Sequence, residues 1–240
     1  EFPETVTKID AYAFAGAKLG NVKLPKELKI IDCHGLDSAG ITELSLPSTV
    51  EYIGSYAFSG NEFETLVIDW KNITVLENGV FSVNENLKRV EIKGNIEEIR
   101  ASAFELCEQL EEIIIGDNVK KIYDNAFRYN DALQTVTIHE NINYLGAAVF
   151  GDCPNLKSVN YNAKNCRTNG TKSKSSFMNS GVTDLFIGNM VELIDSCLFA
   201  NMRALVNVTL PDSIEYIGVS AFESCSSLVE INIPYNLKIL

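Results

Sequence analysis

Basic residues are scarce in this chain. Twenty lysines and arginines stand against 32 aspartates and glutamates, a formal net charge of −12 over 240 residues. That balance argues against a nucleic-acid binder, which needs a basic stripe to neutralise phosphates. It argues equally against a polybasic membrane anchor. No run of about 18 apolar residues is present to form a membrane-spanning helix, so no direct membrane insertion is expected. Only two histidines occur, His34 and His139. No H-E-x-x-H, G-x-S-x-G, G-x-G-x-x-G or P-loop pattern is found. The stretch "NGTKS" at 169–173 lacks the glycine spacing of a P-loop. Adjacent carboxylates such as Glu97–Glu98 and Glu111–Glu112 point to opposite faces of an extended chain and make no acid/base dyad. The expectation is a protein that is not an enzyme, with no catalytic residue, no metal site and no cofactor.

Hydrophobic residues, by contrast, make up 46% of the chain, enough for a large core. They repeat. Aligned on the aromatic of an "AF" pair, the register residues are Phe14, Leu36, Phe58, Phe81, Phe104, Phe127, Phe150, Phe177, Phe199 and Phe222. Successive spacings are 22, 22, 23, 23, 23, 23, 27, 22 and 23. One period runs through residues 1–240, so a single domain is expected. The unit reads L-x-x-[IVL]-x-[IL]-x-x-x-[IV]-x-x-[IL]-x-x-x-[AV]-F. The "I-x-I" step has period two and predicts a short strand with one buried face. Turn residues follow in "LPST", "IGDN" and "LPDS". A second short extended piece returns, and "xxAFxx" predicts a tight helical or 3₁₀ turn that closes the coil. One coil cannot bury its own apolar stripe, whereas stacked coils bury a continuous core. About ten coils at a step of about 4.8 Å give a rod or arc roughly 50 Å long.

The pattern resembles the leucine-rich repeats of the BspA-like family. It stands almost intact in "ITELSLPSTVEYIGSYAFSGN" (41–61) and "LVNVTLPDSIEYIGVSAFESC" (205–225). The resemblance implies a leucine-rich-repeat solenoid, with a parallel β-sheet on one face and short strands and turns on the other. It also implies an extracellular or cell-surface location, and an adhesion or interaction role toward proteins or glycans of a host or neighbouring cell. The alternative is a structural spacer that displays another domain.

The working surface is expected on the sheet. Candidate contact residues are Arg89, Glu91, Glu112, Ile114, Thr135, Thr137, His139, Asn160 and Phe186. Their face is mixed and mostly short and polar, with Ile114 and Phe186 as apolar anchors. It suits a shallow contact with a protein or glycan better than a deep small-molecule pocket. After Tyr161, "NAKNCRTNGTKSKSSF" is about four residues longer than its equivalents and holds Lys164, Arg167, Lys172 and Lys174 without an acid. It reads either as a solvated loop or as a projecting contact element. The unit around Trp70 carries one extra residue between Ile68 and Ile73, a packing irregularity or an exposed binding aromatic. The chain opens on "EFPETV" without a methionine and stops at "LVEINIPYNLKIL", after the strand and return of a new coil. A piece of a longer protein is therefore expected, or an apolar end that associates end to end.

Cysteine recurs three residues after the aromatic, at Cys107, Cys153 and Cys225. In other coils that column holds Ala17, Ala39, Asn61, Asn84, Asn130, Ser180 and Met202. A small-residue slot is expected, with cysteine packing as a small apolar group. Cys107 and Cys153 are two coils apart, roughly 10 Å, too far for a disulfide. Only Cys166 is left with a possible partner, Cys153 or Cys197. His34 and His139 are five coils apart, roughly 24 Å, so they share no metal.

Overall fold

The computed structural model describes residues 2–240. The alternation seen in sequence becomes strand geometry: in Thr135–Ile138, Val136 and Ile138 are buried while Thr135 and Thr137 face solvent. Successive coils place these strands side by side in a wide parallel ladder. Thr65–Ile68, Arg89–Ile92 and Glu112–Ile114 form one run. Thr135–Ile138, Ser158–Tyr161, Asp184–Ile187, Asn207–Thr209 and Glu230–Ile231 form the next. The return pieces pair as well, in a narrow parallel ladder of two-residue strands. They include Lys8–Ile9, Ile30–Ile31 and Tyr52–Ile53, then Val75–Leu76 through to Arg167–Thr168, then Leu193–Ile194 and Tyr216–Ile217.

The narrow ladder breaks in the two coils that carry extra residues in a turn or loop. One break follows Tyr52–Ile53, before the Trp70 insertion has been absorbed. Trp70 is half-buried, its ring 6.1 Å from that of Phe81, so it fills the core edge rather than projecting. Gly94 makes the extra residue tolerable. Its φ is +63°, and a Cβ there would lie 2.5 Å from the Trp70 carbonyl oxygen. The second break follows Arg167–Thr168. Thr168 is still in register with Leu145, so the four added residues lie between Thr168 and Phe177, folded back by a Thr171–Lys174 bridge.

The "AF" segment is neither helical nor 3₁₀. In most coils the residues two before and two after the aromatic have left-handed φ, as at Asn125 (57°) and Tyr129 (60°) around Phe127. The N–H groups of Asn125, Phe127 and Tyr129 then all point to the next coil, donating to the carbonyls of Ala147, Val149 and Gly151. The intervening Ala126 and Arg128 N–H groups close local turns onto Tyr123 and Asn125. A helix would have spent all of these donors internally. Left-handed conformation costs an ordinary residue on the order of 1–2 kcal/mol, and the inter-coil hydrogen bonds offset it.

Register between coils brings the aromatic rings into a spine. From Phe58 to Phe222 each ring sits 5.3–5.8 Å from the next, and most pairs lie nearly parallel. Leu36 takes the same column in the second coil and is fully buried. The slot three residues on is a hydrogen-bonded one. The thiols of Cys107, Cys153 and Cys225 donate to the carbonyls of Phe81, Phe127 and Phe199 at 3.2–3.3 Å. Asn84 and Asn130 make the equivalent bond to Phe58 and Phe104 and a second to their own coil's Phe. A second asparagine ladder runs through the turns: Asn72, Asn95, Asn118 and Asn141 each donate to a carbonyl 24 residues earlier.

All six cysteines are free thiols. Burial pushes Cys107, Cys153 and Cys166 up to about 12. Cys166 packs against the Tyr161 hydroxyl rather than bonding to Cys153 or Cys197.

Candidate ligand-binding face

Strand register arranges the outward side chains of the wide ladder in columns. Thr65, Arg89 and Glu112 are aligned, as are Val67, Glu91 and Ile114. Farther along, Thr135, Ser158, Asp184 and Asn207 form one column, and Thr137, Asn160, Phe186 and Thr209 the other. The structure thus gathers Arg89, Glu91, Glu112, Ile114, Thr135, Thr137, Asn160 and Phe186 on one face. Phe186 is 58% exposed and Ile114 37%. Val67, at 58%, is a third apolar side chain on this face. Its alternation with buried Leu66 and Ile68 was the available signal for it.

The charged part of the face neutralises itself. Arg89 is ion-paired to Glu112 in the neighbouring strand, and Lys93 to Glu91 at 2.9 Å. Such exposed pairs contribute about 0–1 kcal/mol each, so they fix side-chain positions more than they stabilise the fold. Beside Phe186, Asn189, Asn207, Thr209 and Pro211 line an open groove of about 400 Å³.

His139 does not stand out with Thr135 and Thr137. Its ring is half-buried, its Nδ1 accepts the Asn141 N–H at 3.3 Å, and its Nε2 is sealed from solvent without a hydrogen-bond partner. Burial holds its pKa below the ordinary 6.5, opposed by Asp117, the Gly116 carbonyl and Glu140. The sign follows: the unfolded chain takes up a proton that the folded one refuses. The stability His139 confers is complete above 6.5 and is lost as pH falls below it. The melting temperature of the wild-type chain is expected to fall more than that of His139→Gln between pH of about 7.5 and about 5.5. Parallel melting curves for the two proteins would contradict this.

The basic residues lie elsewhere and are not a free positive patch. Lys164 pairs with Glu192 at 2.9 Å, Arg167 with Asp195 at 3.3 Å and Lys172 with Glu223 at 2.8 Å. Among the described residues Lys174 alone of the four forms no ion pair. Acids supplied by the following coils therefore cancel the local excess read from the linear stretch. Arg167 belongs to the narrow ladder, so these four side chains do not join the wide face. At the C-terminal coil, Val219, Ile233, Ile239 and Leu240 are exposed around an apolar groove of about 450 Å³. Among the described residues no group of three or more His, Cys, Asp or Glu side chains is placed to hold a metal ion.

Comparison with known proteins agrees with this geometry. A family model described as a BspA type leucine rich repeat region matches in six copies, over residues 1–82, 60–173 and 170–240. A leucine-rich repeat protein from Bacteroides ovatus is 24% identical, aligned over 99% of this chain and 73% of its own, with a TM-score of 0.62. The T. pallidum leucine rich repeat protein TpLRR is 20% identical over 71% of this chain and 80% of its own, with a TM-score of 0.56. At those identities the likeness is one of fold. No curated protein matches the chain in sequence. The matched repeats extend from one end of the stacked coils to the other, and the chain belongs to the BspA-type leucine-rich-repeat family.

Proposed function

We propose that this chain is a non-enzymatic binding module of a secreted or cell-surface protein, and that it engages its ligand with the outward face of the wide ladder. The observation that carries this reading is the exposure of Val67, Ile114 and Phe186 on an otherwise polar, ordered sheet. Apolar side chains held on a rigid surface contribute to binding without the ordering cost that loops incur. The face has no deep cavity, which fits a macromolecular ligand better than a small metabolite. Family membership supports an interaction role, and the surface location rests on the family resemblance.

Beads coated with the chain provide the test. Wild-type beads are expected to adhere to epithelial or bacterial cells, and a Val67→Ser, Ile114→Ser, Phe186→Ser variant to lose about 90% of that adhesion or more, since each truncation removes on the order of 1 kcal/mol. Equal adhesion by both proteins would overturn the assignment of the face. Failure of wild-type beads to adhere would favour the spacer reading, to which the inter-coil ion pairs such as Lys164–Glu192 and Arg167–Asp195 lend support as braces along the stack.

A further inference from the structure

The wide ladder is divided by charge. Outward positions between 89 and 112 carry Arg89, Glu91, Lys93 and Glu112. The two columns farther along hold Thr135, Ser158, Asp184, Asn207 and Glu230, and Thr137, Asn160, Phe186 and Thr209; from Thr135 to Thr209 Asp184 is the one ionisable side chain, and Glu230 stands at the far end. In a chain of net charge −12 this neutral, amide- and hydroxyl-rich surface is a distinct chemical environment. We propose that it binds a linear, uncharged oligosaccharide laid along the solenoid axis, with one sugar ring stacked on Phe186. The proposal rests on the wide face being the working surface and names the class of ligand it takes.

Four features point the same way. Phe186 is 58% exposed and packs against no other aromatic ring among the described residues. An aromatic face left in water matches the apolar C–H face of a pyranose. Its neighbours in register, Asn160 and Thr209, are exposed, and Asn207 lines the same groove. A carboxamide offers a donor and an acceptor side by side, as adjacent sugar hydroxyls require. The amide of Asn160 makes one long contact, 3.4 Å to the Thr137 hydroxyl, so most of its hydrogen-bonding capacity is directed outward. Neighbouring strands are about 4.8 Å apart, close to the length of one pyranose unit, so successive side chains in a column meet successive sugars.

Charge and composition reject the other occupants. An acidic glycan, phosphate or nucleic acid meets no lysine or arginine in these columns, and Asp184 repels it. A protein interface of the usual kind clusters several aromatic and arginine anchors, and threonine is under-represented among them. Here a single phenylalanine stands among Asn, Thr and Ser.

The experiment is an array of linear neutral oligosaccharides of increasing length, printed beside sulfated and sialylated counterparts and probed with the full chain. Binding is expected on neutral chains only, strengthening with length until the sugar spans four strands and then levelling off. Titration calorimetry with an array hit is expected to show a loss of about tenfold for Phe186→Ala and a smaller loss for Asn160→Ala, with Lys121→Ala, on the narrow ladder, unchanged. Both varied side chains are exposed, so circular dichroism should match wild type. An array without binding, binding confined to the acidic glycans, or full affinity in Phe186→Ala would each overturn the proposal. Cell adhesion that depends on Phe186 alongside an empty array would leave the wide face as the working surface and exclude the neutral glycan.

Discussion

Phe127→Ala is expected to destabilise the chain by about 3–5 kcal/mol, lowering the melting temperature by roughly 6–20 °C. Phe127 is fully buried. Its ring stacks on Phe104 at 5.4 Å and on Phe150 at 5.3 Å, both at 5°. Truncation removes the transfer energy of the ring, leaves a cavity, and deletes two aromatic contacts worth about 0.5–1.5 kcal/mol each. Close packing on both sides prevents the neighbouring coils from collapsing into the space.

Position along the stack sets the scale of this loss. Phe222 is only half-buried and has one ring neighbour, Phe199 at 5.5 Å, so Phe222→Ala should cost about 1–3 kcal/mol. Phe127→Leu should cost about 1–2 kcal/mol, because Leu36 already fills the equivalent site in the second coil without exposure. Each coil touches only its neighbours, so a central lesion also uncouples the two halves. Urea unfolding of Phe127→Ala, followed by circular dichroism, should therefore show a reduced m-value or two steps. Equal losses for Phe127→Ala and Phe222→Ala would refute the idea that the spine acts as one continuous column.

The repeat was legible because the same evidence is presented about ten times. A single "TVTI" is ambiguous, but Val136 and Ile138 recur in register with Val159 and Tyr161 and with Leu185 and Ile187. Burial on one face then follows from the period. The turn around the aromatic was not legible. Left-handed φ at Tyr56, Ala148 or Cys197 contradicts local preference, and what holds it is hydrogen bonding to the next coil. Ion pairing was hidden for a related reason. Arg167 and Asp195 lie 28 residues apart, in neighbouring coils that the added loop separates further in sequence. The candidate face was legible as a pattern of outward residues. That His139 turns inward, and that the basic stretch is cancelled by Glu192 and Glu223, depended on side-chain packing that periodicity does not encode.

Asn130→Ala is expected to cost about 2–4 kcal/mol, nearly as much as losing a spine ring, although the residue is polar and small. Its Nδ2 donates to the carbonyls of Phe104 at 3.2 Å and Phe127 at 3.0 Å. Its Oδ1 accepts the Cys107 N–H at 2.9 Å. All of this is fully buried, and alanine leaves the Phe104 carbonyl and the Cys107 amide without these partners in a site that water does not reach, while the Phe127 carbonyl keeps only the weaker Cys153 thiol. Asn130→Cys restores one bond, because Cys107, Cys153 and Cys225 reach the preceding Phe carbonyl from this same column. It should cost about 1–2 kcal/mol. Cys107→Ala removes a single weak donor and a small volume and should cost about 1 kcal/mol. Urea midpoints of the three variants, at matched m-values, should rank Asn130→Ala as the least stable. A cost for Asn130→Ala no larger than that for Cys107→Ala would mean that the column selects for size alone. The ranked outcome would show that the recurring cysteine occupies a hydrogen-bonding site that asparagine fills more completely.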